Sequence, residues 1–323
     1  MNHQVRIHQA GQPSVMQYEA LARDVAAPGP GQVRIRHDAI GLNFVDTLFR
    51  SGAFDVPLPF TMGVEGAGVV LETGTGVTDL KPGDRVAYFF SFGAYASERL
   101  IDASQLVKLP EHVSTETAAA VLTKGLTAWM MLFGAHQLKR GETVLVHAAA
   151  GGVGAMVARW AQALGAKVIA TVGSPAKADL VRAAGMAHVL DANDPELAAK
   201  VRALNGGHGV DVVFELVGKA TFAQSVAALR SGGHLLHIGN ASGAPEIDQN
   251  DLAARGIRYQ HATTGQYAGE RSGLELGART LFAAVKDGVF GTIAPARYRL
   301  ADVVQAHTDL EARRIAGAAI LVP

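Results

Sequence analysis

The segment Thr143–Gly165 constrains this chain more than any other. It opens on Thr143-Val144-Leu145-Val146, a short apolar, β-branched run that reads as a buried parallel strand. His147-Ala148-Ala149-Ala150-Gly151-Gly152-Val153-Gly154 follows. After it comes Ala155–Leu164, helix-favouring and closed by Gly165 at the usual place for a C-terminal cap. Strand, glycine turn, helix is the setting in which such glycines bind a dinucleotide. They let the backbone approach a pyrophosphate, and the free N–H groups and dipole of the helix N-terminus hold its charge. Against G-x-G-x-x-G, Ala149 stands at the first glycine place, while Gly151 and Gly154 fill the other two. The expected contacts of this loop are Ala150, Gly151, Gly152, Val153 and Gly154.

From about 142 to 263 the pattern repeats. Strands are expected near 142–148, 167–172, 188–191, 210–216, 234–239 and 258–263, and helices near 153–164, 175–184, 195–204, 220–230 and 248–255. Such alternation is that of an α/β, doubly wound parallel sheet. Residues before about 123 are instead β-rich. Gln32-Val33-Arg34-Ile35-Arg36-His37 alternates apolar and polar, and Pro28-Gly29-Pro30-Gly31 and Lys81-Pro82-Gly83-Asp84 punctuate. In Gly63-Val64-Glu65-Gly66-Ala67-Gly68 no helix follows, so the glycines read as tight strand packing. Ser114 caps a helix over 115–120, and a second helix runs over about 124–136. Helices near 271–287 and 301–313, with strands near 295–300 and 318–322, continue none of the βα alternation. The expected domains are therefore 1–124 plus 265–323, discontinuous, and 125–264, the dinucleotide-binding part.

Composition narrows the function. With 29 basic and 29 acidic residues the net charge is zero, which argues against a dedicated nucleic-acid binder. Cysteine is absent, which removes disulfides, thiol catalysis and cysteine-ligated zinc or iron–sulfur sites. Histidines number 12, but none forms an H-E-x-x-H pair. No apolar run is long enough to span a bilayer. The segment Met1–Arg6 lacks an apolar signal core, so the cytoplasm is the expected compartment.

The end of the second strand selects the dinucleotide. NAD-specific sites place a carboxylate there for the ribose 2′-hydroxyl. This chain has Thr171-Val172-Gly173-Ser174, with no acid, and then Lys177 on the first helical turn. A hydroxyl and an ammonium attract a 2′-phosphate. NADPH is therefore the expected cofactor, held at Gly173, Ser174 and Lys177, with Arg182 a reserve cation; a solvated lysine is the competing reading. Further contacts are expected at strand ends: Val217-Gly218, Gly239, Asn240 and Ser242. His147 and His237, within apolar strands, read as satisfied core groups.

His147–Gly154 resembles the cofactor loop of the zinc-independent quinone oxidoreductases of the medium-chain dehydrogenase/reductase superfamily. The likeness extends over nearly the whole chain: Ile40–Asp46, Arg50-Ser51-Gly52, Gly63–Gly68, Pro82–Val86, Leu122–Ala128 and Val217-Gly218. It implies a GroES-like β-rich catalytic domain beside a Rossmann domain, with the active site between them, and a homodimer joined through the Rossmann domains. It also implies NADPH-dependent reduction of a quinone or another electron-poor conjugated carbonyl. Zinc-dependent relatives carry cysteine at the place of Asn43 and histidine at that of Val64. Their cysteine-rich lobe is missing too, since Phe92–Ser97 passes directly to the next strand. Metal-polarised chemistry is therefore not expected.

In a metal-free transfer the protein places the acceptor and stabilises charge arriving on its oxygen. The family motifs offer Asn43, Lys124 and Thr127 for this, Asn43 and Thr127 also as cofactor contacts. The competing readings are a plain turn residue for Asn43 and a solvated helix residue for Lys124. Asp46 reads as structural, and Glu65 as a buried carboxylate whose partner the sequence does not identify. Several members of the family have tyrosine where this chain has Phe54, a substrate-pocket position; phenylalanine stacks but cannot donate. Ala192 replaces an aromatic residue found in a relative, which leaves Lys177 more of the 2′-phosphate. The competing functions are an enal, enone or enoyl-thioester reductase and, outside enzymes, an NADPH-binding structural or RNA-associated protein.

Overall fold

The parallel sheet forms as the alternation predicts. A computed structural model describes residues 2–21 and 26–323. Six strands lie in the spatial order His188–Asp191, Lys167–Val172, Thr143–Val146, Val210–Glu215, Leu229–His237 and Arg258–His261, all parallel. Taken along the chain this is 3-2-1-4-5-6, the doubly wound order of dinucleotide-binding folds. The order reverses between Thr143–Val146 and Val210–Glu215. Ligands of such sheets lie in the crevice beyond the carboxyl ends of the strands at that reversal. Helices Gly152–Ala163, Pro175–Ala183, Leu197–Leu204, Phe222–Ala228 and Gln249–Ala254 cover the sheet. The two central strands are buried almost throughout, which explains their unbroken apolar sequences. The fifth strand starts at Leu229, earlier than its apolar run suggests. Its register on the fourth jumps between Val210 and Val212, so 230–233 bulges out.

The β-rich part is built on Gln32–Leu42. That strand pairs with Gly66–Thr73, Glu98–Asp102 and, from the C-terminal part of the chain, Ala319–Val322. Ala296–Arg299 extends the same sheet beyond Ala319–Val322. The glycine-dense run serves strand packing: a Cβ on Gly68 would stand 1.8 Å from the Arg36 carbonyl oxygen. Val5, Ile7, Val33, Ile35, Ile40, Met62, Val86 and Leu321 make its core.

One expectation needs correction. The helices expected over 115–120 and 124–136 are one, Thr115–Trp129, continued by a π-helical turn over Met130–Ala135. Gly125 does not break it. Burial of the surrounding turns outweighs the roughly 1 kcal/mol that a helical glycine costs. Over the span 115–135, 89% of its most apolar window is buried, as in a core helix. The described residues form two compact units. The first holds 1–123, 274–282 and 292–323, the second 124–273 and 283–291. Residues 265–273 and 283–291 belong to the second because of their packing. Tyr267 meets Gly134 and hydrogen-bonds Gln260, and Phe290 lies edge-on to Trp160 at 5.3 Å.

Candidate functional site

In the second unit the loop after the first strand turns through Ala148, which adopts φ +52°. Ala149 N–H donates to Thr171 O at 3.0 Å, and Gly151 N–H to Ala148 O at 2.8 Å. The left-handed turn that the motif assigns to its first glycine thus falls one residue before Ala149. Gly151 is the N-cap of Gly152–Ala163. A Cβ on Gly154 would lie 2.3 Å from Ala148 O, so no other residue fits there without moving the loop. Ala150, Gly151, Gly152 and Val153 stay partly exposed at the mouth of this turn.

A buried network lies beneath the loop. Glu215, closing the fourth strand, accepts at Oε1 from Val217 N (2.8 Å), Gly218 N (3.0 Å) and Thr221 Oγ1 (2.8 Å). Ser225 Oγ donates to its Oε2 at 2.5 Å. Ser225 must then accept from His147 Nε2–H (2.8 Å), and Thr171 Oγ1 donates to His147 Nδ1 (2.8 Å). All five side chains are buried. Burial pushes the His147 pKa down, so the ring is neutral, although Glu215 pulls the other way. Burial pushes Glu215 up, but the hydrogen bonds it accepts from Ser225, Gly218 and Val217 favour the carboxylate and hold it below its ordinary range. Three strand ends are thereby tied together under the crevice.

Two more loops line the same carboxyl edge. Gly218 has φ +93°, and a Cβ there would meet Gly243 O at 2.4 Å; one on Gly239 would meet Leu216 O at 2.2 Å. Ser242 Oγ donates to Val217 O (2.8 Å) and accepts from Ala220 N (2.9 Å), so its hydroxyl joins the two loops. Tyr259 OH donates to His237 Nδ1 at 3.0 Å, and His237 Nε2–H faces Asn240 Oδ1 at 3.0 Å. That contact fixes the exposed Asn240 with its carbonyl inward and its NH2 outward. Both histidines are the satisfied core groups their strands suggested. At the second strand end, Gly173 is exposed and Ser174 caps Pro175–Ala183. Neither Ser174 Oγ nor the half-buried Lys177 has a hydrogen-bond partner among the described residues.

Lys124 and Thr127 share a face of Thr115–Trp129, three residues apart. Lys124 is 7% exposed and Thr127 8%, so neither is a solvated helix residue. Thr127 Oγ1 lies 2.9 Å from Thr264 Oγ1.

In the first unit Asn43 is the N-cap of Phe44–Ser51. Two buried carboxylates hold it. Its main-chain N–H donates to Asp46 Oδ2 (2.9 Å), and its Nδ2 to Glu65 Oε2 (2.8 Å). Glu65 Oε1 accepts from Thr123 N at 2.6 Å. Asn43 is thus among the partners of Glu65. Only glycine allows this at position 41, where a Cβ would stand 2.1 Å from Glu65 Oε2. Nδ2 also approaches Gly41 O at 3.5 Å. Asp46 is structural, as expected. Phe54 is 47% exposed and packs on Phe49 at 5.5 Å, beside the exposed Phe90 and Phe92.

The Glu215 network escaped the sequence reading. Its one local signal is an acid that follows Val212-Val213-Phe214 and stands two residues before Val217-Gly218.

Comparison with known proteins covers both units. The family described as alcohol dehydrogenase GroES-like domain matches residues 29–111, and that described as zinc-binding dehydrogenase matches 152–279. A quinone oxidoreductase of Pseudomonas aeruginosa is 41% identical over 317 residues, 97% of each chain. A 2-haloacrylate reductase of a Burkholderia species is 38% identical over 328 residues, 98% of each. The Escherichia coli quinone oxidoreductase, solved with NADPH, superposes with a TM-score of 0.94 at 35% identity, covering 99% of this chain and 100% of that one. With cysteine absent, Asn43 and Val64 at the metal-ligand places, and this likeness running from end to end, the chain belongs to the zinc-independent, zeta-crystallin-like quinone oxidoreductase family of the medium-chain dehydrogenase/reductases.

Proposed function

We propose that this protein is an NADPH-dependent quinone oxidoreductase that works without a metal. One observation carries the reading: a dinucleotide crevice whose second strand is followed by Ser174 and Lys177, with no carboxylate at its end. NADPH bound there supplies the hydride. The first turn of Gly152–Ala163 offers N–H groups to the pyrophosphate, and Gly154 keeps the path clear. Ser174 and Lys177 take the 2′-phosphate, with Gly173 leaving the approach open. Val217, Gly218, Gly239 and Asn240 line the crevice further along, with Ser242 setting the loop spacing. Asn43, Lys124 and Thr127 place and polarise the acceptor. The Asn43 amide and the Lys124 ammonium are hydrogen-bond donors of the kind that stabilises a developing oxyanion. Phe54, without a hydroxyl, gives the acceptor an apolar wall.

The 2-haloacrylate reductase relative favours a second reading, reduction of a conjugated alkene by the same hydride geometry. Rates of NADPH oxidation with quinones, enals, halogenated acrylates and enoyl-thioesters, repeated with NADH, separate the two. Quinones should turn over fastest; no turnover with any quinone overturns the first reading. Lys177→Glu should weaken NADPH binding at least tenfold and leave NADH binding unchanged, since only the phosphate meets the reversed charge. Unchanged NADPH affinity removes Lys177 from the site.

The reading extends to a homodimer joined through the dinucleotide-binding unit, in the cytoplasm. Arg258–His261 ends the sheet, and its outer edge carries backbone groups that another strand can pair. Light scattering on the purified protein tests this.

A further inference from the structure

The carboxylate that holds the Asn43 backbone is itself the end of a longer chain. Arg50 Nη1–H donates to His307 Nδ1 at 3.2 Å. With Nδ1 occupied as acceptor, His307 Nε2–H donates to Tyr95 Oη at 3.0 Å, and Tyr95 O–H to Asp46 Oδ2 at 3.0 Å. Glu311 closes the outer end, pairing both its oxygens with the Arg50 guanidinium at 2.6 and 3.1 Å. Arg50 is 1% exposed, and Asp46, Tyr95 and His307 are wholly buried. The direction of every bond is fixed, because arginine never accepts and the carboxylate never donates.

Burying an arginine is expensive, and apolar packing in its place is often no less stable. What such a network supplies is a single geometry. It is no route for protons, since a guanidinium does not release one. It starts in Val303–Glu311, passes through Tyr95 and ends on the first turn of Phe44–Ser51. Asp46 there holds Asn43 N–H while Glu65 holds the Asn43 amide.

We propose that Tyr95 and His307 are positioning residues for Asn43, the buried Arg50–His307–Tyr95–Asp46 chain setting the angle at which the Asn43 amide meets the acceptor. This rests on the reading of Asn43 given above. Misplacing a polarising group by a fraction of an ångström slows the chemical step without weakening cofactor binding.

Tyr95→Phe removes one oxygen at constant volume. It should lower kcat with a quinone about tenfold while the KM for NADPH stays within twofold. His307→Leu should do the same, and His307→Gln, which accepts and donates along the chain, should recover part of that loss. The deciding measurement repeats Tyr95→Phe in an Asn43→Ala background. If the chain acts through Asn43, the second change costs nothing further. An equal loss in both backgrounds overturns the proposal and leaves a structural role. Full kcat in Tyr95→Phe alone overturns it too, whereas full kcat in Asn43→Ala removes the reading of Asn43 on which it rests. If Tyr95→Phe does not fold, the two His307 variants carry the same comparison.

Discussion

Ala148 sits at φ +52°, a conformation that costs an L-residue roughly 1–2 kcal/mol. The position calls for glycine, and the neighbouring packing enforces the turn. Ala148→Gly relieves the strain at a flexibility cost of roughly 0.5–1 kcal/mol. The expected outcome is a gain of up to about 1 kcal/mol in denaturant unfolding; a loss means that the loop is held by more than its backbone. Gly154 is the opposite case. A methyl 2.3 Å from Ala148 O forces the loop outward, so Gly154→Ala should destabilise by about 1–3 kcal/mol and abolish measurable NADPH binding by fluorescence titration. The glycines of this motif are therefore unequal: one position needs the missing side chain, while the turn itself is made by an alanine.

Loops beyond the sheet are held in place by the strands that precede them. Glu215 gathers two backbone N–H groups and two hydroxyls, and His147 links it to the second strand through Thr171. Glu215→Ala takes the acceptor from all four donors, in a largely buried setting. A loss of about 3–5 kcal/mol is expected in equilibrium unfolding, with weaker NADPH binding in whatever remains folded. A loss below 1 kcal/mol removes the network from the support of the crevice. The helix Thr115–Trp129 teaches a different lesson. The gap expected over 121–123 closes into one helix, because local propensity does not register the burial of Val121 and Leu122. Boundaries set by packing are invisible to propensity.

At the level of the whole molecule, buried histidines make stability depend on pH. In the first unit burial drives His37 and His307 down to about 3, with Arg99 and Arg50 respectively adding to it and the Ala96 carbonyl opposing it at His37. Unfolded, both titrate near 6.5, so below that pH the unfolded chain binds protons that the folded one refuses. Their contribution is complete above pH 6.5 and is lost as the pH falls towards 3. Each should cost about 1.4 kcal/mol per pH unit in that window, on the order of 4 kcal/mol for the pair between pH 7 and 5. Urea titrations across that range check this; a pH-independent unfolding free energy contradicts the neutral, buried state of both rings.

The sequence by itself determined the doubly wound sheet, the glycine turn after its first strand and the family. Those signals are local: strand and helix periods, turn glycines, and an acid missing from one strand end. It also put forward Asn43, Lys124 and Thr127, through motifs a few residues long. What only the tertiary structure decided is how Asn43 is held. Its side-chain partner Glu65 lies 22 residues away, and the chain behind Asp46 joins residues 212 and 257 apart. No periodicity carries across such separations. The partners meet because Ala319–Val322 pairs with Gln32–Leu42, bringing the C-terminal helix onto the helix that Asn43 caps.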